Sequence, residues 1–521
     1  MNRSSGILMP VYALPSPYGI GTLGKAAYDF ADFLHAAGQD YWQMLPLGPT
    51  SYGDSPYQSF STFAGNPYFI DLDLLIADGL LTAEEVQCAR WGTNPRYVDY
   101  GKIYESRFPV LRRAYSRGWQ HDREEVSRFA AENPWVSSYA DYMALKQHFG
   151  MKSWQQWPDA AVRCHSAPGF PAAMERYRAL LREDIQFYMY LQYLFFKQWN
   201  ALKDYVHSLG IRIIGDLPIY VAMDSADVWA EPEFFQLDEN MVPAAVSGVP
   251  PDYFSADGQL WGNPLYRWDR MEEDGFGWWL RRVDGAGKLY DVIRIDHFRG
   301  FDEYFSIPAD AKTARGGHWE KGPGMELFHS IRRHLGNVSV VAEDLGLMTD
   351  GVRALVRDSG YPNMKVLQFA VDPADVGGAN DYWPHNYNSN CVVYTGTHDN
   401  ETLAGWYAGL SAEAKTQVRN YLSDYFTPDD QMYKVLINLA MTAVAKDCII
   451  PIQDHLGLGN EARINQPGTV GFNWRWRLMP GQVTDALAQE LLAMAKRTGR
   501  ANWDTLPKKT PKDTDADKAE K

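Results

Sequence analysis

The chain has 521 residues, of which 50 are basic and 65 acidic, giving a formal net charge of −15. That balance repels phosphate and excludes a nucleic-acid partner, while 45% hydrophobic and 22% charged residues exclude disorder for the bulk of the chain. The 18 Trp, 31 Tyr and 23 Phe exceed what a core alone needs, so some of them should serve a surface.

The first 21 residues carry a short apolar run broken by Pro10 and Pro15, unlike the uninterrupted core of a signal peptide. Short β-branched runs then recur at 7–12, 41–47, 211–220, 292–295, 338–342, 365–371, 391–395 and 447–453, each ending in Gly, Pro, Asp or His. Segments of helical period lie between most of them, among them 25–37, 187–209, 326–335, 349–359 and 412–425. Apolar strands alternating with helices indicate a parallel sheet, and eight such units predict an α/β fold of the closed (β/α)8 barrel type. The stretch 435–445 contains Asn438 and Thr442 and reads as a core helix; nothing reaches the ~18 apolar residues of a membrane span. Cys88, Cys164, Cys391 and Cys448 form no CxxC pair, which fits a reducing compartment and a cytoplasmic protein.

Two connections are too long for one helix. They predict insertions at about 51–205 and 222–291, forming subdomains over the C-terminal face of a barrel that spans 1–505. No separate C-terminal β-domain is expected, and the charged segment 506–521 should be a disordered tail.

Acidic motifs end three of the strands. In VIRIDHFRG, strand alternation puts Arg294 and Asp296 on the same side, where the guanidinium would hold the carboxylate ionised as a nucleophile requires; a purely structural ion pair is the alternative. In VVAEDLG, Glu343 emerges from a dry run beside other carboxylates, which raises its pKa toward that of a general acid. In YTGTHDN, His398 and Asp399 follow two threonines and a glycine. Asp216 ends the third strand and reads as a supporting residue. His297, His398 and Asp399 are of metal-ligand type, but no HxH or HExxH spacing accompanies them, so no metal is expected. A nucleophile, an acid and a further carboxylate on one rim form a retaining glycosidase constellation, for which Asp296 and Glu343 should stand about 5–5.5 Å apart.

RIDHFRG, VAEDLG and GTHDN, in this order, resemble the 4-alpha-glucanotransferases (amylomaltases or disproportionating enzymes, glycoside hydrolase family 77 of the alpha-amylase superfamily). The segments 53–68, 215–222, 250–266, 451–459 and 465–469 agree, so the similarity runs from about residue 6 to about 505. The resemblance implies a barrel with inserted subdomains and transfer of an α-1,4-glucan segment to the 4-hydroxyl of another glucan. It implies no cofactor, and malto-oligosaccharides or starch- and glycogen-type glucans as partners. It assigns catalysis to Asp296, Glu343 and Asp399, and substrate binding to Tyr57, Asp216, Tyr253, Phe254, Trp261, Arg294 and His398. For any one of the four aromatics loop packing is the plainer reading, but clustering beside Ser255, Asp257, Gln259 and Asn263 in a glycine-containing loop points to stacking on the sugars of an acceptor. Asp257–Gly258 and His455 depart from the expected pattern. Two rival functions are an α-glucan hydrolase on the same barrel and a glucan-binding protein without turnover.

Overall fold

The computed structural model describes residues 3–51, 53–165, 167–251, 255–375 and 377–506. Eight strands form a closed parallel barrel: β1 (Ser4–Leu8), β2 (Tyr41–Gln43), β3 (Arg212–Pro218), β4 (Val292–Asp296), β5 (Val340–Ala342), β6 (Asn363–Val366), β7 (Cys391–Tyr394) and β8 (Asp447–Pro451). Their order around the barrel follows the chain, and β1 closes it by pairing with β8, Ile7 opposite Ile450. Strands β1, β7 and β8 are buried at every residue because helices cover the outer face and side chains fill the inner one.

Several expected strands run past the real ones, among them 41–47, which is strand only to Gln43, and two lead into buried turns. The run 7–12 is strand only as far as Leu8, followed by the buried 3-10 turn Val11–Ala13. The run 365–371 becomes strand Asn363–Val366 and then the turn Leu367–Ala370. In both places the turn beyond the strand packs into the interior, so hydrophobicity does not mark where pairing stops.

Between β2 and β3 the chain builds a helical layer from Tyr100–Glu132, Trp135–His148, Phe170–Leu180 and Arg182–Ser208. The last of these also packs on the helix Lys25–Ala36 and on β3, so it belongs to the barrel's own wall. A second feature is a four-stranded antiparallel sheet, in the order Gln259–Pro264, Ala245–Val249, Glu303–Pro308, His318–Lys321. Its first two strands come from the long connection after β3. The other two come from a further excursion after β4 that the strand spacing did not reveal. Gly258 turns the chain into this sheet at φ +69°, where a Cβ would also sit 2.5 Å from the Val249 carbonyl. Asp257 beside it pairs with Arg315 across the two excursions. Trp42, Trp154, Trp157, Trp199, Trp229, Trp278 and Trp279 are fully buried, so these seven of the 18 Trp serve the core. Among the described residues no helix is long and apolar enough to cross a membrane. Residues 507–521 of the expected tail lie outside the described set.

Candidate active site

The C-terminal ends of β3, β4, β5 and β7 bring the acidic motifs together. Strand register sets the first contact: Asp216 stands opposite Arg294, and Pro218 opposite Asp296. Arg294 Nη1 donates to both oxygens of Asp216 at 2.7 Å and to Asp296 Oδ1 at 3.0 Å. Below them, Tyr394 donates to Gln43 at 2.8 Å, so the barrel interior under the rim is polar where branched aliphatics are the norm. The Asp216 side chain has no exposed surface. Its contacts are Arg294 and Tyr57, whose hydroxyl donates to it at 2.8 Å.

On the neighbouring strand, Glu343 is held by two backbone donors. The N–H of His297 reaches its Oε2 at 2.6 Å and that of Leu345 its Oε1 at 2.8 Å. His297 adopts φ +53°, a left-handed conformation uncommon for a side chain of this size, and that turn aims its N–H at the carboxyl. Burial, then the negative charge of Asp296, push Glu343 up to about 8, against the pull of Arg294 and the two N–H groups. Burial also raises Asp296 to about 6. The neighbouring guanidinium alone would lower the Asp296 carboxyl, as the strand alternation suggests. Arg294 does pull it down, but loss of water outweighs the guanidinium. A buried and a half-buried carboxyl with separated proton affinities supply an acid and a base or nucleophile within one site.

The third motif sits across the rim. The ring of His398 stacks on Tyr57 with centroids 5.1 Å apart, and Trp474 leans on both at 5.6 and 5.8 Å. His398 Nε2 lies 3.4 Å from Asp399 Oδ1, and Nδ1 lies 3.4 Å from the Tyr57 hydroxyl. Asp399 is 45% exposed, the most open of the three acids. Its Oδ1 accepts from Asn465 at 2.6 Å and its backbone carbonyl accepts from Arg463 at 2.8 Å. Trp261, on the first strand of the antiparallel sheet, meets the edge of His297 at 4.8 Å. Gln58 bonds Asn263 at 3.2 Å and so ties that strand to the loop carrying Tyr57. Tyr253 and Phe254 lie outside the described residues.

Asn465, Arg463 and Trp474 had no assigned role in the sequence reading. Asn465 begins NQPGT, a segment noted there only for its similarity. Behind the site a cavity of about 40 Å³ runs from Tyr57 and Asp216 to Asp227 and Arg282, room for a water or two. Arg282 closes it by donating to the carbonyls of Pro218 and Ile219, which fixes the segment leaving β3. His455 is half-buried, and burial pushes its imidazole down to about 3, so it packs as a neutral ring. Among the described residues no three His, Cys, Asp or Glu side chains are grouped to hold a metal ion.

The profile of the family described as 4-alpha-glucanotransferase matches residues 9–483. A 4-alpha-glucanotransferase of Thermus thermophilus is 47% identical over 509 residues, covering 96% of this chain and 99% of the relative. One from Streptococcus pneumoniae is 45% identical over 504 residues, covering 96% and 98%. The solved amylomaltase of Streptococcus agalactiae, in complex with acarbose, superposes with a TM-score of 0.92 at 41% identity, covering 96% of this chain and all of that one.

Proposed function

The chain belongs to the 4-alpha-glucanotransferase family, and from that premise we propose that it transfers α-1,4-glucan segments by a retaining, two-step mechanism. The observation that carries this reading is the pair on adjacent strands, buried Glu343 and half-buried Asp296, with proton affinities pushed apart. Near neutral pH one is ionised and the other protonated.

In the first step an Asp296 oxygen bonds to C1 of the sugar as the glycosidic C1–O bond breaks, and Glu343 gives its proton to the departing 4-oxygen. In the second, the Glu343 carboxylate takes the proton of an acceptor 4-hydroxyl while that oxygen displaces Asp296 from C1. Asp399, held by Asn465 and facing His398, stabilises the positive charge that builds on the ring. Arg294 favours ionised Asp296 and is itself oriented by Asp216. Tyr57 and His398 form one wall beside the reacting sugar, and Trp261 a contact on the acceptor side. Donors and acceptors are malto-oligosaccharides or longer starch-type chains.

Cys88, Cys391 and Cys448 are free thiols, Cys88 of them exposed, which supports a reducing compartment such as the cytoplasm.

The test is a product ladder from maltotriose alone. A transferase yields glucose together with maltopentaose and longer chains; products no longer than the substrate would instead make the protein a hydrolase. Asp296→Asn and Glu343→Gln should each cut the rate by about 10³-fold or more, and near-normal turnover in either would remove that residue from the mechanism.

A further inference from the structure

The loop that presents His398 and Asp399 begins where β7 ends and finishes where the helix Leu403–Gly409 starts. Asp454, on the one-turn helix Ile452–His455 that follows β8, reaches both of its ends. Its Oδ2 accepts from the Thr395 hydroxyl at 2.6 Å and its Oδ1 from the Leu403 N–H at 2.7 Å. The side chain is 1% exposed and has no cation among its contacts in this network. Within the loop, Asn400 Oδ1 accepts from the Thr397 N–H and hydroxyl, both at 2.9 Å, and Gln368 donates to the Glu401 carbonyl at 2.9 Å.

We propose that Asp454 is a positioning residue for Asp399: by joining the first and last residues around the loop, it fixes how far the catalytic carboxylate projects from the rim. A carboxylate suits this place because it offers two acceptor oxygens and no donor to two donors converging from opposite ends. Burial raises its pKa to about 6 while both donors resist the rise, so the contacts favour the ionised form that can accept from both. The neighbouring strand β8 thereby sets the geometry of the loop after β7. An alanine here would leave the Leu403 N–H buried without a partner and free the loop ends to separate.

The inference rests on the reading that Asp399 acts in the reaction, and the test separates the two. Kinetics on maltotriose are measured for Asp454→Ala, Asp454→Asn, Asp399→Asn and the double variant Asp399→Asn/Asp454→Ala. The alanine variant should lose about 10²-fold in kcat, as small displacements of a catalytic group do, with KM little changed. The asparagine variant should recover most of this, because its amide oxygen can take the Leu403 N–H while the Thr395 hydroxyl turns to accept from the amide nitrogen. In the Asp399→Asn background the alanine should cost less than about 3-fold further, the non-additivity expected when one residue acts through the other. Independent, multiplying losses in the double variant, or a loss confined to KM, would overturn the proposal. Wild-type rates for Asp399→Asn would instead overturn the role of Asp399 itself. Should Asp454→Ala fail to fold, Thr395→Val removes one of the two tethers at constant shape and enters the same cycle, with the same outcomes decisive.

Discussion

Glu343 experiences opposing forces that can be separated by experiment. Burial and the Asp296 charge favour its protonated form, while two backbone N–H groups and Arg294 favour the ionised one; the net effect is a pKa raised from 4.5 to about 8. Folded protein therefore holds this proton more tightly than unfolded protein does. The resulting stability is complete below about pH 4.5 and is lost as pH rises toward about 8. Glu343→Gln has no proton to lose, but its amide nitrogen must face one of the two N–H donors, a cost of about 1–3 kcal/mol that does not depend on pH. The melting temperature of this variant minus that of the wild type should therefore become more positive between about pH 5 and about pH 8. A difference that stays flat in scanning calorimetry would mean that Glu343 is ionised throughout. This residue was legible in the sequence because an acid directly after an apolar strand can only emerge at the barrel rim. Asn465 was not, since it reaches Asp399 from 66 positions away with no period or motif spacing linking them. The raised pKa of Asp296 was misjudged for a related reason: the sequence names the neighbouring Arg294 but not the depth at which the pair is buried.

At the level of elements, the barrel strands could be read because most are buried along nearly their whole length, although Asn363–Val366 alternates half-buried with buried residues, whereas the antiparallel sheet could not. Gln259–Pro264 alternates between half-buried and exposed residues before it turns inward, and it contains Gly262 and ends in Pro264, which together resemble a loop. The helix Tyr100–Glu132 was missed for another reason. Its buried stripe includes Arg107 and Gly118 as well as aliphatics, and at Gly118 a Cβ would collide with the Tyr190 hydroxyl of the helix Arg182–Ser208. The unread sheet has a functional consequence. It holds Trp261 against His297, the residue whose N–H orients Glu343, and the Gln58–Asn263 bond fastens it to the Tyr57 loop. Trp261→Ala removes a stacking surface without removing an acid. It should reduce the ratio of transfer to hydrolysis by about 2–10-fold, the worth of one aromatic contact. Product analysis that finds the ratio unchanged would assign Trp261 to packing alone.

Across the whole molecule, the barrel must close between its first and last strands, and the chain's C-terminal segment takes part in that closure. Arg500 follows the helix Asp485–Arg497 and is 0% exposed. Its guanidinium donates to five carbonyls: Ser4 at 2.9 Å, Met441 at 2.8 Å, Ala443 at 3.0 Å, Ala445 at 2.7 Å and Lys446 at 2.9 Å. All five N–H donors of the side chain are used. Ser4 begins β1, and Ala443 to Lys446 form the approach to β8, so a single residue clamps both sides of the seam on which the barrel closes. The Ser5 hydroxyl returns a bond to the Arg500 carbonyl at 3.1 Å. The C-terminal segment is in this sense part of the barrel and not an appendage to it. Replacing Arg500 by Met keeps the length of the side chain and removes every donor. Leaving this set of buried carbonyls unpaired should cost about 3–5 kcal/mol, the range found when one member of a buried polar network is removed. Because the seam lies at the opposite end of the strands from the acids, kcat of the enzyme that remains folded should change by less than about 2-fold. The measurement pairs the rate of thermal inactivation with active-site-normalised turnover of maltotriose. A fall in turnover matching the fall in stability would mean that closure of the barrel and geometry of the rim are coupled, and that the two ends of this fold do not divide stability from catalysis.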